Sequence, residues 1–145
     1  MQQRILVVDD DIIIRRLSAG VLSAFGYQVE TAEDGAAAWA ALDKSNYDLL
    51  ITDHNMPNVT GIELVRTLRS ERITLPVVLM SGTLPEEALV QNSSLQLAGT
   101  LLKPFTMKEL VGTVTKVLYA ARFGASPASS SPNDDPAPAI PRVQM

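Results

Sequence analysis

The sequence predicts an α/β protein built on a doubly wound, five-stranded parallel sheet. Five short apolar runs alternate with helical patterns, and about 20 residues separate successive runs, enough for the crossover that parallel strands require. The runs occupy residues 4–8, 27–31, 48–52, 76–80 and 99–102. Four are apolar through the middle, as expected for strands covered on both faces, whereas the second alternates and indicates an edge strand.

Helical spacing follows the first and second runs. The first pattern consists of Ile14, Leu17, Val21 and Phe25. Asp11 precedes it as a candidate N-cap, and Gly26 follows it as a stop. The second pattern is rich in alanine and carries Trp39, which we expect to pack on the sheet.

Capping signatures mark the later helices. Three threonine–glutamate pairs have the spacing of a capping box: Thr60 with Glu63, Thr83 with Glu86, and Thr106 with Glu109. The last helical pattern comprises Leu110, Val114, Val117 and Ala121, with Gly124 behind it. Residues 92–94 interrupt the fourth pattern with Asn-Ser-Ser, so we expect that helix to be short or mobile.

The chain changes character near residue 124. Five of its nine prolines lie in residues 124–145, together with several serines and alanines and few larger apolar side chains. Such a segment buries too little surface to offset its ordering entropy, so we expect a disordered tail. The predicted folded domain is residues 1–123.

The composition excludes several kinds of protein. The chain has 12 Lys and Arg against 16 Asp and Glu, so it lacks the basic surplus of a nucleic-acid or anionic-membrane binder. It has no cysteine, and its single histidine, His54, excludes a multi-histidine metal site. No apolar run is long enough for a membrane span or a signal peptide. We therefore expect a cytoplasmic protein that binds neither DNA nor membranes directly.

Polar side chains follow four of the predicted strands. Asp9 and Asp10 follow the first, Asp53 the third, Ser81 the fourth and Lys103 the fifth. In a doubly wound sheet the carboxyl ends of the strands meet at one rim, where ligands bind. We therefore expect these five side chains to converge.

These residue types suit one kind of chemistry. Crowded carboxylates repel one another unless a cation is present, and oxygen ligands suit Mg²⁺, with Mn²⁺ as an alternative ion. A hydroxyl and an ammonium group satisfy the oxygens of a phosphoryl group, and a carboxylate can be its covalent acceptor. The residues predict a Mg²⁺-assisted site that places a phosphoryl group on an aspartate.

Four sequence blocks resemble a known family. They are ILVVDD at 5–10, ITDHNMP at 51–57 with Gly61, LMSG at 79–82 and LKPF at 102–105. In order and spacing they resemble the receiver domain of two-component response regulators over residues 4–121. The resemblance implies a stand-alone regulator of the chemotaxis type with a (βα)5 flavodoxin-like fold and strand order 2-1-3-4-5.

The resemblance also implies a role for each rim residue. Asp53 would take a phosphoryl group from a kinase phosphohistidine and become a 4-aspartylphosphate. The implied Mg²⁺ ligands are Asp9, Asp10, Asp53 and the backbone carbonyl of Asn55. Ser81 and Lys103 would contact the phosphoryl group, with a cis peptide bond after the lysine.

Three positions bear on hydrolysis and switching. In the family, Asn55 and Thr83 lie where side chains tune hydrolysis of the aspartyl phosphate. Phosphorylation would bias a two-state surface near the fourth helix, fifth strand and fifth helix. Thr100 stands three residues before Lys103, where many members carry an aromatic residue that turns inward, so the sequence departs from the usual coupled switch.

The leading interpretation is a phosphoacceptor signalling domain and not an enzyme. Its only catalysis would be of its own phosphorylation and dephosphorylation. Its partners would be a sensor histidine kinase or phosphotransfer protein and a downstream protein that the sequence does not name. Alternatives are a receiver module cut from a hybrid kinase or larger regulator, or a phosphorylation-independent interaction module. A phosphatase would need a second aspartate two residues after the nucleophile, where Asn55 stands.

Overall fold

The computed structural model describes residues 2–83 and 95–124, and within them five parallel strands form one sheet. The strands are β1 (Arg4–Val8), β2 (Gln28–Ala32), β3 (Leu49–Asp53), β4 (Val77–Ser81) and β5 (Gly99–Leu102). Their order is β2-β1-β3-β4-β5. The predicted fold class and strand order are confirmed, and β2 lies at an edge as its alternating pattern indicated.

Three strands begin one residue later than predicted, and the shift brings functional positions into the sheet. Asp53 pairs with Met80, and Ser81 pairs with Leu102. The ladder continues beyond both, since the His54 N–H donates to the Met80 carbonyl at 2.8 Å. The backbone of these two candidate site residues is therefore held by the ladder itself.

Four helices cover the sheet in the described part of the chain. They are α1 (Ile12–Ala24), α2 (Gly35–Lys44), α3 (Gly61–Ser70) and α4 (Met107–Phe123). Asp11 caps α1 as predicted, and its carboxylate accepts from the N–H of Ile13 at 2.9 Å. The capping boxes of Thr60 with Glu63 and of Thr106 with Glu109 are both formed. Most of the predicted fourth helix, including Glu86, and the tail from residue 125 onward lie outside the described residues.

Alternation along the strands divides the apolar core between the two faces of the sheet. Leu6 and Val8 of β1 lie in one cluster with residues of α3, whereas Ile5 and Val7 lie in the other with residues of α1 and α4. All four are fully buried. Burying each such side chain contributes roughly 1.5–3 kcal/mol, so the two cores hold the rim of the sheet in place.

Trp39 departs from its predicted position on the sheet. It lies on α2 as expected, but 37% of it is exposed, whereas Ala38 is fully buried. Gly35 at the start of this helix is also buried, and a Cβ there would lie 2.8 Å from Cβ of Val59. The small side chains of α2 face inward because they permit close approach, and the indole lies toward solvent.

No described helix combines the length and apolar character needed to cross a membrane.

Candidate functional site

The carboxyl ends of four strands bring the predicted polar residues to one rim of the sheet. Asp9, Asp53 and Ser81 are buried, Lys103 is half-buried, and Asp10 is exposed. One carboxylate oxygen from each of the three aspartates lies within 4.8 Å of the other two. The predicted carboxylate cluster is therefore present, at a spacing that could hold a metal ion.

Lys103 bridges the two buried carboxylates. Its Nζ lies 3.1 Å from Oδ2 of Asp9 and 3.2 Å from Oδ1 of Asp53. Oδ1 of Asp53 is buried and accepts no well-aligned hydrogen bond from the part of the chain that the structure describes, so the second contact is electrostatic. Two buried carboxyl groups thus share one ammonium group, and the exposed Asp10 adds a further carboxyl group beside them.

Burial and charge act on the pKa values of this cluster in opposite directions. Burial raises the pKa of Asp9, and the charge of Asp53 raises it further. A hydrogen bond from the N–H of Asp11 to Oδ1 of Asp9, at 2.9 Å, lowers the pKa, but the net change is an increase. Burial lowers the pKa of Lys103, but its hydrogen bond to Asp9 and the two carboxylate charges outweigh that effect. The lysine is therefore held in its charged form, while ionising Asp9 is disfavoured.

The start of α1 holds Asp9 in place. Asp11 is the N-cap residue of this helix, and Arg15 on its first turn donates from Nη1 to the Asp9 carbonyl at 2.8 Å. The capping aspartate could be predicted from its position before the helical pattern. No local pattern marks the arginine, because its bond depends on how the helix packs against the end of β1.

Close approach of α3 fixes the backbone at Asp53. A Cβ at Gly61 would lie 2.5 Å from the Asp53 carbonyl oxygen and 2.9 Å from Cα of His54, which leaves no room for a side chain. The Gly61 N–H donates to the His54 carbonyl at 3.1 Å. His54 also accepts, through Nδ1, a long hydrogen bond of 3.4 Å from the N–H of Ile62. The only histidine thus lies at the junction of β3 and α3, where it helps to cap the helix.

Ser81 connects the rim to the loop that follows β4. Its hydroxyl donates to the Thr83 carbonyl and lies 3.3 Å from Oδ1 of Asn55. Asn55 and Thr83, both predicted to tune hydrolysis, therefore lie next to the buried serine, and both are exposed. The sequence resemblance did not indicate the contact between the Asn55 side chain and Ser81, since 26 residues separate the two.

Thr100 lies outside this cluster. It pairs with Leu79 in the sheet, and as part of the edge strand β5 it is exposed, as is Leu102 two residues later. The peptide bond between Lys103 and Pro104 is cis, as the resemblance implied. The described site therefore contains no inward-turning side chain at position 100.

A five-stranded doubly wound sheet with an acidic rim and a bridging lysine is the architecture of a phosphorelay receiver. The family model described as "Response regulator receiver domain" matches residues 5–115, so the chain belongs to this family of two-component signalling domains. This confirms the resemblance seen in the four sequence blocks.

Two curated relatives differ greatly in length. The chemotaxis protein CheY of Pseudomonas aeruginosa is 34% identical over 117 residues, which are 79% of this chain and 94% of that protein. The sensor histidine kinase RcsC of Escherichia coli is 39% identical over 122 residues, 84% of this chain but 13% of that kinase. The chain therefore corresponds to nearly all of one relative and to a small part of the other.

Solved structures agree with this assignment. The chemotaxis response regulator CheY4 of Vibrio cholerae has a TM-score of 0.73 and 34% identity, covering 81% of this chain and 99% of its own. The response regulator TrrA of Thermotoga maritima, solved in complex with Mg²⁺-BeF, has a TM-score of 0.70 and 33% identity, covering 80% and 99%.

Proposed function

We propose that Asp53 is the phosphoacceptor of this receiver domain and takes its phosphoryl group from a phosphohistidine of a sensor histidine kinase or phosphotransfer protein. The observation that carries the proposal is the single Lys103 ammonium group between two buried carboxylates, 3.2 Å from Oδ1 of Asp53. In the transfer, that carboxylate forms a bond to phosphorus while the bond from phosphorus to the histidine nitrogen breaks. The product is a 4-aspartylphosphate.

The other rim residues act on the charge of the phosphoryl group. Lys103 neutralises its oxygens, and the Ser81 hydroxyl donates to one of them once it leaves the Thr83 carbonyl. Asn55 and Thr83 tune access of the water that hydrolyses the acyl phosphate, so the domain catalyses its own phosphorylation and dephosphorylation. Thr100 occupies the switch position, where it provides no aromatic ring that could turn inward.

The donor set fits Mg²⁺, with Mn²⁺ as an alternative. Asp9, Asp10, Asp53 and the backbone carbonyl of Asn55 would hold the ion, and the three clustered carboxylates are the hard oxygen ligands it prefers. When bound, Mg²⁺ supplies positive charge for the oxygens of the transferred group. The 33% identical TrrA was solved in complex with Mg²⁺-BeF, which supports the choice of ion.

The domain boundaries follow from the same proposal. Residues 1–123 form the receiver domain, and residues 124–145 are a separate tail. We place the protein in the cytoplasm, where it signals to a downstream protein and does not bind DNA directly.

The match to a short part of the RcsC kinase favours one second candidate, a receiver module that passes its phosphoryl group on within a larger protein.

Phosphorylation by a small donor tests the acceptor directly. Incubation with Mg²⁺ and acetyl phosphate is expected to add about 80 Da, the mass of one HPO₃ group, in a form that hydroxylamine removes. Asp53→Asn is expected to give no adduct, whereas Asp43→Asn, which changes an exposed carboxylate on α2, is expected to react normally. An adduct that persists in Asp53→Asn would overturn the assignment.

A further inference from the structure

A groove runs along the edge of the sheet opposite the acidic rim, where the strands begin. Two cavities of about 740 Å³ and 380 Å³ share Thr74, Pro76 and Ala121 and are therefore adjacent, and we call the two together the amino-edge groove. The segments before β1, β3, β4 and β5 line it, together with the last turns of α4. None of the rim residues contributes to it.

The amino-edge groove combines apolar surface with two basic side chains, Lys116 and Arg122, and the Arg122 guanidinium lies 5.5 Å from the centre of the Phe123 ring. Ile73, which is 37% exposed, and Leu118 line the larger cavity. Lys116 lines the smaller cavity and Arg122 the larger, and neither forms an ion pair with any residue that the structure describes. Among the described residues, Asp48 is the one carboxylate that lines either cavity. The groove therefore suits an extended segment with acidic and apolar side chains.

One such segment begins at the mouth of the groove. Helix α4 ends at Phe123, directly after Arg122, and residues 125–145 continue the same chain outside the described residues. Fully extended, these 21 residues span roughly 70 Å at about 3.3 Å each, so reach does not restrict where they bind. They contain adjacent Asp134 and Asp135, followed by Pro-Ala-Pro-Ala-Ile-Pro at 136–141.

We infer that residues 134–141 bind in the amino-edge groove of their own chain. Asp134 and Asp135 pair with Lys116 and Arg122, and Ile140 with the neighbouring prolines covers the apolar floor. Proline has no backbone N–H, so this segment buries few unsatisfied donors in a groove that offers no strand edge. Tethering gives the segment an effective concentration in the millimolar range, so a weak contact is sufficient.

The absence of cysteine allows a clean test in the full-length chain. A nitroxide attached to Ser131→Cys would broaden amide signals close to the bound segment in the unphosphorylated protein. We expect a loss of intensity of about two-fold or more at Ile73, Thr74 and Ala98, because tethering keeps the segment in the groove for most of the time. Replacing both Asp134 and Asp135 with Asn should restore these signals, and this change lies outside the folded part.

Charge reversal on the helix provides a matched comparison. Lys116→Glu should restore the groove signals, whereas Lys108→Glu, an exposed lysine at the other end of α4, should not. Broadening that stays unchanged in the aspartate variant would overturn the inference, as would broadening confined to the last turn of α4. So would equal broadening between a spin-labelled copy and a separate isotope-labelled copy, because the contact would then join two chains. The assignment of Asp53 depends on none of these results.

Discussion

At the scale of single residues, charge balance dominates the rim. Asp9 and Asp53 are both buried, yet Lys103 is the one cation that forms ion pairs with them in the described chain. A buried carboxylate without a full counter-charge destabilises the fold in its ionised form. The arrangement therefore lowers stability at the place where a cation and a phosphoryl group would bind, as functional sites commonly do.

The pH dependence of one substitution measures this cost. Burial raises the pKa of Asp9 in the folded state above its ordinary 3.8, so folding favours the protonated carboxyl group. The free energy of unfolding therefore falls as pH rises from 3.8 through the folded-state pKa. Asp9→Asn imitates the protonated form and should raise the free energy of unfolding at pH 7 without divalent cations. The difference should disappear below pH 3.8, as measured by urea unfolding.

Two outcomes would contradict this reasoning: an equal difference at both pH values, or lower stability of Asp9→Asn at neutral pH. The exposed Asp43 on α2 provides the control, because Asp43→Asn should leave the stability at both pH values nearly unchanged.

A buried hydroxyl on α1 allows a second test at this scale. Ser18 is fully buried, and its Oγ has no hydrogen-bond partner among the described residues. Ser18→Ala removes that unsatisfied group and improves helix propensity, so we expect stabilisation of roughly 1–2 kcal/mol. The urea midpoint should rise with an unchanged m-value. Ser23→Ala, an exposed serine on the same helix, should give only the smaller propensity gain; an equal effect at both positions would contradict a role for burial.

At the scale of elements, apolar runs predicted the strands and capping residues predicted the helix starts. Both signals are local, so Asp11 and the capping boxes of α3 and α4 could be assigned from sequence. The exposure of Trp39 could not, because it depends on which side of α2 faces the sheet. The hydrophobicity of the indole favoured the core, but Gly35 and Ala38 are the residues that α2 buries.

Arg69 shows the same limitation. Its guanidinium group donates to the carbonyls of Ile73, Leu75, Leu95 and Gln96 at 2.7–3.2 Å. Burial lowers the pKa of this arginine, and all four acceptors are neutral backbone groups. The side chain thus joins the end of α3 to the segment that leads into β5. Nothing in the sequence around it distinguishes this arginine from Arg66, the other basic residue of α3.

The junction of β3 and α3 can be tested with a pair of glycines. Gly61→Ala would push a methyl group against the backbone of Asp53 and His54, and we expect destabilisation of about 1–3 kcal/mol together with slower phosphorylation. Gly112→Ala on α4 meets no atom within 4 Å and should stabilise the protein by up to about 1 kcal/mol through helix propensity. Thermal unfolding compares the two, and a stabilising Gly61→Ala would refute the close approach.

At the scale of the whole molecule, the topology explains why the rim could be predicted and its finer contacts could not. Strand order alone brings Asp9, Asp53, Ser81 and Lys103 to one edge, so recognising the strands was sufficient. Contacts between side chains at that edge depend on rotamers and loop paths. The 3.3 Å contact between the side chains of Asn55 and Ser81 belongs to this second group, and it has no counterpart in any local pattern.

Divalent cations should stabilise the whole protein if the rim binds them. A ligand that binds only the folded state at 100 times its dissociation constant adds about 2.7 kcal/mol. Mg²⁺ is therefore expected to raise the melting temperature of the wild-type chain but not that of Asp10→Asn, whose side chain is exposed and not needed for packing. Sodium chloride at equal ionic strength is the control; the same increase in Asp10→Asn would place the ion elsewhere.

The hydroxyl of Ser81 has a single proton to donate. In this structure it is directed to the carbonyl of Thr83, at the start of the connection between β4 and β5. An acceptor on Asp53 would compete with that carbonyl for the same proton, and the two bonds could not form together. The rim and the following loop would then exchange one hydrogen bond for another, so their coupling would depend on the difference between two similar energies and remain readily reversible.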